Sequence, residues 1–277
     1  MWLFVGFAYL AFWAVILGLG GFASMVLGAP EPVMKGIAVL GSWSPTLVLL
    51  VLRRRLLPGS SVRGFYAKAF AGRIRIGAVL GAPALTFGLF AAAASAAAAL
   101  GGSRLGTGIS FVPGAFFGTA VLMLFLGPSG EESAWRGYLR PELEGRYGFF
   151  KGNILLGLVW AFWHAPLWVL ASEFRGLEGL VFAGANVVVL TSLTMILGVL
   201  MEGSDNLLVA FWTHYCFNLS LSLWSGGIGF FVALSIVYPA AAAVLATVLR
   251  GPVAGRPSMI PGSAADGGGP AVEESAP

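Results

Sequence analysis

The chain has 277 residues, of which 58% are hydrophobic and only 10% charged. A soluble domain carries about 25% charged residues, so composition excludes an ordinary water-soluble fold and points to a bundle of about eight membrane-spanning helices of roughly 20 residues. The formal charge of +4 lies mostly in loops and gives no reason to expect a nucleic-acid partner, and one cysteine, Cys216, excludes an intrachain disulfide and a Cys-rich metal site.

Residues 1–30 carry no charge, which predicts a first span near Trp2–Leu27, retained rather than cleaved as a signal peptide because no basic n-region precedes it. A second span near Met34–Leu52 stops at Arg53-Arg54-Arg55, and the basic segment 53–75 reads as a loop with room for a short surface helix. Ile76–Leu100 and Ile109–Leu126 give spans three and four, Ile154–Leu170 and Leu180–Met201 spans five and six. Asn206 to Leu249 divides at Ser225-Gly226-Gly227 into spans seven and eight. The expected domains are therefore a bundle over 1–250 and a disordered cytoplasmic tail over 251–277, rich in Gly, Pro, Ala and Ser. With a cytoplasmic N-terminus, thirteen basic residues fall on the cytoplasmic side and Lys35, Arg104 and Arg175 on the other. That asymmetry predicts an all-α polytopic bundle with both termini inside.

An ionisable side chain within a span is expensive unless it is paired or reaches water, so each is a candidate functional group. The chain has two histidines, His164 in WAFWHAPLW of span five and His214 in FWTHYCFNL of span seven. Asn218, four residues after His214, shares its helix face. Between spans four and five lies GPSGEESAWRGYLRPELEGR, with adjacent carboxylates Glu131 and Glu132. Arg136 is placed to hold Glu132 as an (i, i+4) pair. Taken singly, these groups also fit a solvated helix end, a packing histidine and helix–helix glue, the category that also suits Asn186. Taken together, a carboxylate, two imidazoles and a carboxamide supply what water-activating hydrolysis needs: a base, a partner for the water, and oxyanion donors.

The order Pro128-x-x-Glu131-Glu132-x-x-x-Arg136-Gly137, an aromatic-x-x-x-His164, and His214-x-x-x-Asn218 resembles the three motifs of the CPBP intramembrane proteases. These comprise CAAX-processing endopeptidases, which cut prenylated proteins, and bacterial relatives linked to bacteriocin processing and self-immunity. The resemblance spans roughly residues 105–225. It implies an intramembrane endopeptidase in which Glu131 activates water beside His164, His214 and Asn218 stabilise the oxyanion, and Glu132 and Arg136 support the site. It also implies membrane lipid as surroundings and a peptide or protein substrate (lipidated in the eukaryotic theme), while the Ala/Gly-rich composition and short loops point to a bacterial plasma membrane as the location. Trp160 and Trp135 stand where those motifs favour Phe, and Ser129 and Gly130 where they favour apolar residues. By spacing alone, Glu131 reads as interfacial while His164 lies about 18 Å along a helix beyond Lys151. For them to meet, span four must tilt or its motif helix dip inward around a water-filled cavity.

Three alternatives stand beside this reading. Gly127-Pro128-Ser129-Gly130 fits the short GxSG signature of rhomboid serine proteases, a weak match in a chain with 40 glycines. Glu131, His164 and His214 could form a zinc site drawn from three spans, although no H-E-x-x-H arrangement occurs and a metal-free glutamate mechanism is the expectation. A non-catalytic transporter or scaffold would suit the Gly127-Pro128 and Tyr238-Pro239 breaks, but no second set of polar groups marks a path across the membrane.

Overall fold

The computed structural model describes residues 1–74, 76–170 and 172–250, so the tail expected over 251–277 lies outside the described residues. The protein is an all-α polytopic membrane bundle. In chain order the helices are α1 (Trp2–Met25), α2 (Glu31–Leu56), α3 (Val62–Ala69), α4 (Ile76–Leu100) and α5 (Pro113–Phe125). A long helical run over 128–163 follows, then α8 (Ala165–Leu170), α9 (Gly176–Met201), α10 (Leu207–Leu221) and α11 (Gly229–Arg250). All eight apolar stretches read from the sequence are helical. Six runs are long and apolar enough to cross a membrane. The difference from eight arises because spans four and five fall in one continuous stretch, Pro113–Trp163, and span seven is the shorter Leu207–Leu221. The segment after Arg55, read as a loop with room for a short surface helix, contains the amphipathic helix α3. Its Phe65 is buried and approaches Gly137.

Residues 128–151, read from the sequence as the stretch between spans four and five whose motif helix must dip inward, hold the main feature that spacing does not reveal. They are helical almost throughout, with a π-turn at Trp135–Leu139. The helix Arg140–Trp163 is broken at Gly148, whose φ of 74° and ψ of 169° belong to glycine alone. The chain doubles back there, giving two antiparallel arms, α6 (128–147) and α7 (149–163). Contacts fall symmetrically about the turn. The backbone of Glu144 lies against Gly152, and Asn153 Nδ2 donates to Glu144 Oε1 at 2.6 Å. Farther up, the Arg136 guanidinium lies 4.0 Å over the Trp160 ring, each twelve residues from Gly148.

This hairpin resolves the difference in depth. Glu131 precedes Gly148 by 17 residues and His164 follows it by 16, about 25 Å and about 24 Å of helix. Both stand at one level, well away from the tip. Glu131 is buried within the protein, 3% exposed.

Loop contacts sort the helix ends into two groups. Asn206 Nδ2 donates to the Phe70 and Gly72 carbonyls, and Arg140 meets Asp205 at 3.5 Å, joining 53–74, the hairpin and 201–206 at one end. At the other, Ser110 N donates to Leu223 O and Ser225 N to Gly108 O, both at 2.8 Å.

Candidate functional site

The site begins where α5 ends. The last carbonyls of a helix lack intrahelical donors, and here neighbouring helices supply them. Ser42 Oγ and Trp43 Nε1 of α2 donate to Phe125 O at 3.2 and 3.1 Å, and Asn218 Nδ2 of α10 donates to Leu126 O at 3.4 Å. Gly127 then turns the chain with φ 110°. A Cβ there would lie 2.6 Å from Asn218 Nδ2 and 3.3 Å from His214 Nε2, so the bare glycine keeps open the space in front of both side chains. Gly130, one of the two residues that depart from the family motif, is where α6 touches α2. Its Cβ would lie 2.6 Å from Ser42 O.

From this start α6 points both carboxylates inward. Glu132 Oε1 accepts from Arg136 Nη1 at 3.0 Å and meets His214 Nδ1 at 2.7 Å. Arg136 Nη2 donates to Thr194 Oγ1 of α9 at 3.0 Å. Glu131 faces the other way, as five-residue spacing from Arg136 requires. Its Oε2 accepts from Trp160 Nε1 at 2.6 Å and stands 3.9 Å from His164 Nε2. His164 lies at the break between α7 and α8, not inside a span, because Pro166 has no amide N–H to continue the ladder. Its Nδ1 is 2.8 Å from Trp160 O. Since a carbonyl only accepts, Nδ1 carries the proton and Nε2 presents a lone pair towards Glu131.

Glu131, Glu132, Arg136, His164, His214 and Asn218 therefore converge. Trp160 sits at their centre, 0% exposed and edge-to-ring with both imidazoles at centroid distances of 5.4 and 5.0 Å. Its sequence position was read only as an aromatic replacement, and Thr194 carried no signal at all. His164, with 18% of its side chain exposed, and half-buried Asn218 form the accessible side, while the Glu132–Arg136–His214 group is closed off.

Among the described residues no group of three His, Cys, Asp or Glu side chains is arranged to hold a metal ion. The Glu131, His164, His214 set is divided: Glu131 faces His164, and His214 turns its Nδ1 to Glu132. A serine–histidine dyad is not formed either. Ser129 Oγ is buried without a hydrogen-bond partner among the described residues. Cys216 is free and buried.

Residues 113–220 match the family described as type II CAAX prenyl endopeptidase, Rce1-like. Over that stretch, 108 of the 277 residues, the chain is similar to the CPBP family. A curated relative, CAAX prenyl protease 2 of Methanococcus maripaludis, is 37% identical over 59 residues, which is 21% of this chain and 22% of that protein. The chain thus matches about a fifth of that relative's length. The matched stretch contains all six convergent residues and both arms of the hairpin.

Proposed function

We propose that the protein is an intramembrane endopeptidase of the CAAX-processing type, hydrolysing a peptide bond with water activated between Glu131 and His164. The observation that carries this reading is the 3.9 Å separation of Glu131 Oε2 and His164 Nε2. That gap is too long for a direct hydrogen bond, and both atoms are acceptors. Two facing acceptors at this spacing suit a water molecule that donates one proton to each and turns its oxygen lone pairs outward. Glu131 takes a proton as the water oxygen attacks the scissile carbonyl, and returns it to the departing amine.

His214 and Asn218 serve the oxyanion. The Asn218 amide has two N–H groups, one spent on Leu126 O and one left to donate. With Nδ1 against the Glu132 carboxylate, His214 can also donate from Nε2 only by carrying a proton on each nitrogen. Two carboxylates, one guanidinium and one imidazolium then sum to zero charge, the arrangement under which a buried ionic group is least costly. A transporter reading lacks comparable support. Among the described residues the buried Asp, Glu, Lys, Arg and His side chains are Glu131, Glu132, Arg136, Arg140 and His214, four of them on the one helix α6. The prenylated substrate class, supported by the family match, and the cytoplasmic N-terminus, supported by the thirteen-to-three charge asymmetry, are part of the same proposal; a bacterial plasma membrane is proposed on the Ala/Gly-rich composition and short loops.

The test uses purified protein in lipid vesicles with fluorogenic CAAX peptides, farnesylated and bare. Glu131→Gln and His164→Ala are expected to abolish cleavage and Ser129→Ala to preserve it, with all three proteins folded. Chelation is expected to leave the rate unchanged; loss restored by zinc would replace the glutamate mechanism with a metal one. Wild-type rates in Glu131→Gln would end the protease reading.

A further inference from the structure

Among the groups around the water position, Trp160 has no part in the proton movements, yet it contacts Glu131, His164, His214 and Arg136. Its indole N–H is 2.6 Å from Glu131 Oε2, its carbonyl meets His164 Nδ1 at 2.8 Å, its ring edge-packs on both imidazoles, and its face carries the Arg136 guanidinium at 4.0 Å. The residue is completely buried in the bundle core, with Trp135 and Trp163 also buried.

We infer that Trp160 is a positioning residue, whose indole N–H fixes the rotamer of Glu131 so that its carboxylate faces His164 across the water position. The inference rests on the peptidase reading given above. A glutamate side chain has three rotatable bonds, and Arg136, the nearest guanidinium, is engaged with Glu132 and Thr194. The N–H of Trp160 is the hydrogen bond that Glu131 receives from another side chain. Its chemistry suits the task. An indole nitrogen donates and cannot accept, so it holds one carboxylate oxygen without competing for the water proton. The bond is charge-assisted and short, the stronger kind. Because His164 leans on the carbonyl of the same residue, one side chain and its own backbone set both partners of the water. Spacing is then fixed by a rigid residue rather than by two independent rotamers.

A phenyl ring would fill most of the same space and still contact both imidazoles, but it would leave Glu131 without this donor. Trp160→Phe is therefore expected to lower kcat about 10- to 100-fold, the range of an orienting contact near the reacting atoms. KM for the farnesylated peptide should stay within about twofold, since peptide binding does not involve the N–H. If the Phe variant does not fold, 3-benzothienylalanine at position 160, which replaces N–H by sulfur in a ring of the same shape, carries the same expectations. Wild-type kcat in Trp160→Phe, with Glu131→Gln inactive, would overturn this inference and leave the peptidase reading intact. A raised KM with unchanged kcat would show that Trp160 shapes the peptide site instead, and would also overturn it. Full activity in Glu131→Gln would remove the peptidase reading itself.

Discussion

At Gly127 a single missing methyl group decides what can stand before two donors. Gly127→Ala would force a Cβ into a backbone with φ 110° and to within 2.6 Å of Asn218 Nδ2. Strain of this type costs about 1–3 kcal/mol. The expected result is a lower thermal midpoint and cleavage reduced by more than the midpoint shift explains, because the alanine methyl occupies the space facing Asn218 and His214. Equal cleavage by Gly127→Ala and wild type, measured in the same vesicles, would show that the oxyanion forms elsewhere. Some of this scale was legible beforehand. Four-residue spacing puts Arg136 on Glu132 and Asn218 above His214, and both hold in the structure. The partner of His214 was not legible, because Glu132 and His214 are 82 positions apart and meet only through the packing of α6 against α10. The role of Trp160 is hidden for a related reason: in the sequence an indole beside apolar residues looks like filling, and its N–H acquires meaning only when a carboxylate faces it.

The hairpin formed by α6 and α7 is the element that hydropathy conceals. Residues 128–147 hold four acids and three arginines, a density that reads as solvated loop, yet most of these charges are paired across or along the helices. Arg136 binds Glu132, and Arg140 binds Glu144 at 2.8 Å. Pairing removes the reason for a charged helix to stay in water, and the paired face then turns inward. The turn itself rests on Gly148, in a region of backbone space that even asparagine avoids. Gly148→Ala and Gly148→Asn should therefore lower the thermal midpoint of the purified protein to similar extents. An asparagine variant as stable as wild type would mean that the turn relaxes to an ordinary left-handed conformation. Apolar helices elsewhere were readable from composition alone, since α1, α2, α4, α9 and α11 need only length and hydrophobicity to be found.

For the molecule as a whole, sidedness follows from where the connections meet. The 53–74 segment, the hairpin tip and 201–206 share one end, and nine of the basic residues described there are Arg53, Arg54, Arg55, Arg63, Lys68, Arg73, Arg140, Arg146 and Lys151. In a Cys216→Ser background, a cysteine at exposed Ala67 is expected to resist a membrane-impermeant maleimide applied to intact cells, while one at exposed Thr107 reacts. The opposite pattern would invert the orientation. The equal arms about Gly148 have a further consequence for how the chain tolerates changes in length. Adding one residue to a single arm would slide its reacting group by about 1.5 Å and swing it by about 100°, spoiling the alignment. Adding two full turns to each arm together would only push the tip outward. Natural variation in loop size should therefore be absorbed in matched pairs beyond Arg140 and Ile154, as a pair of tongs keeps its grip when both handles are lengthened alike.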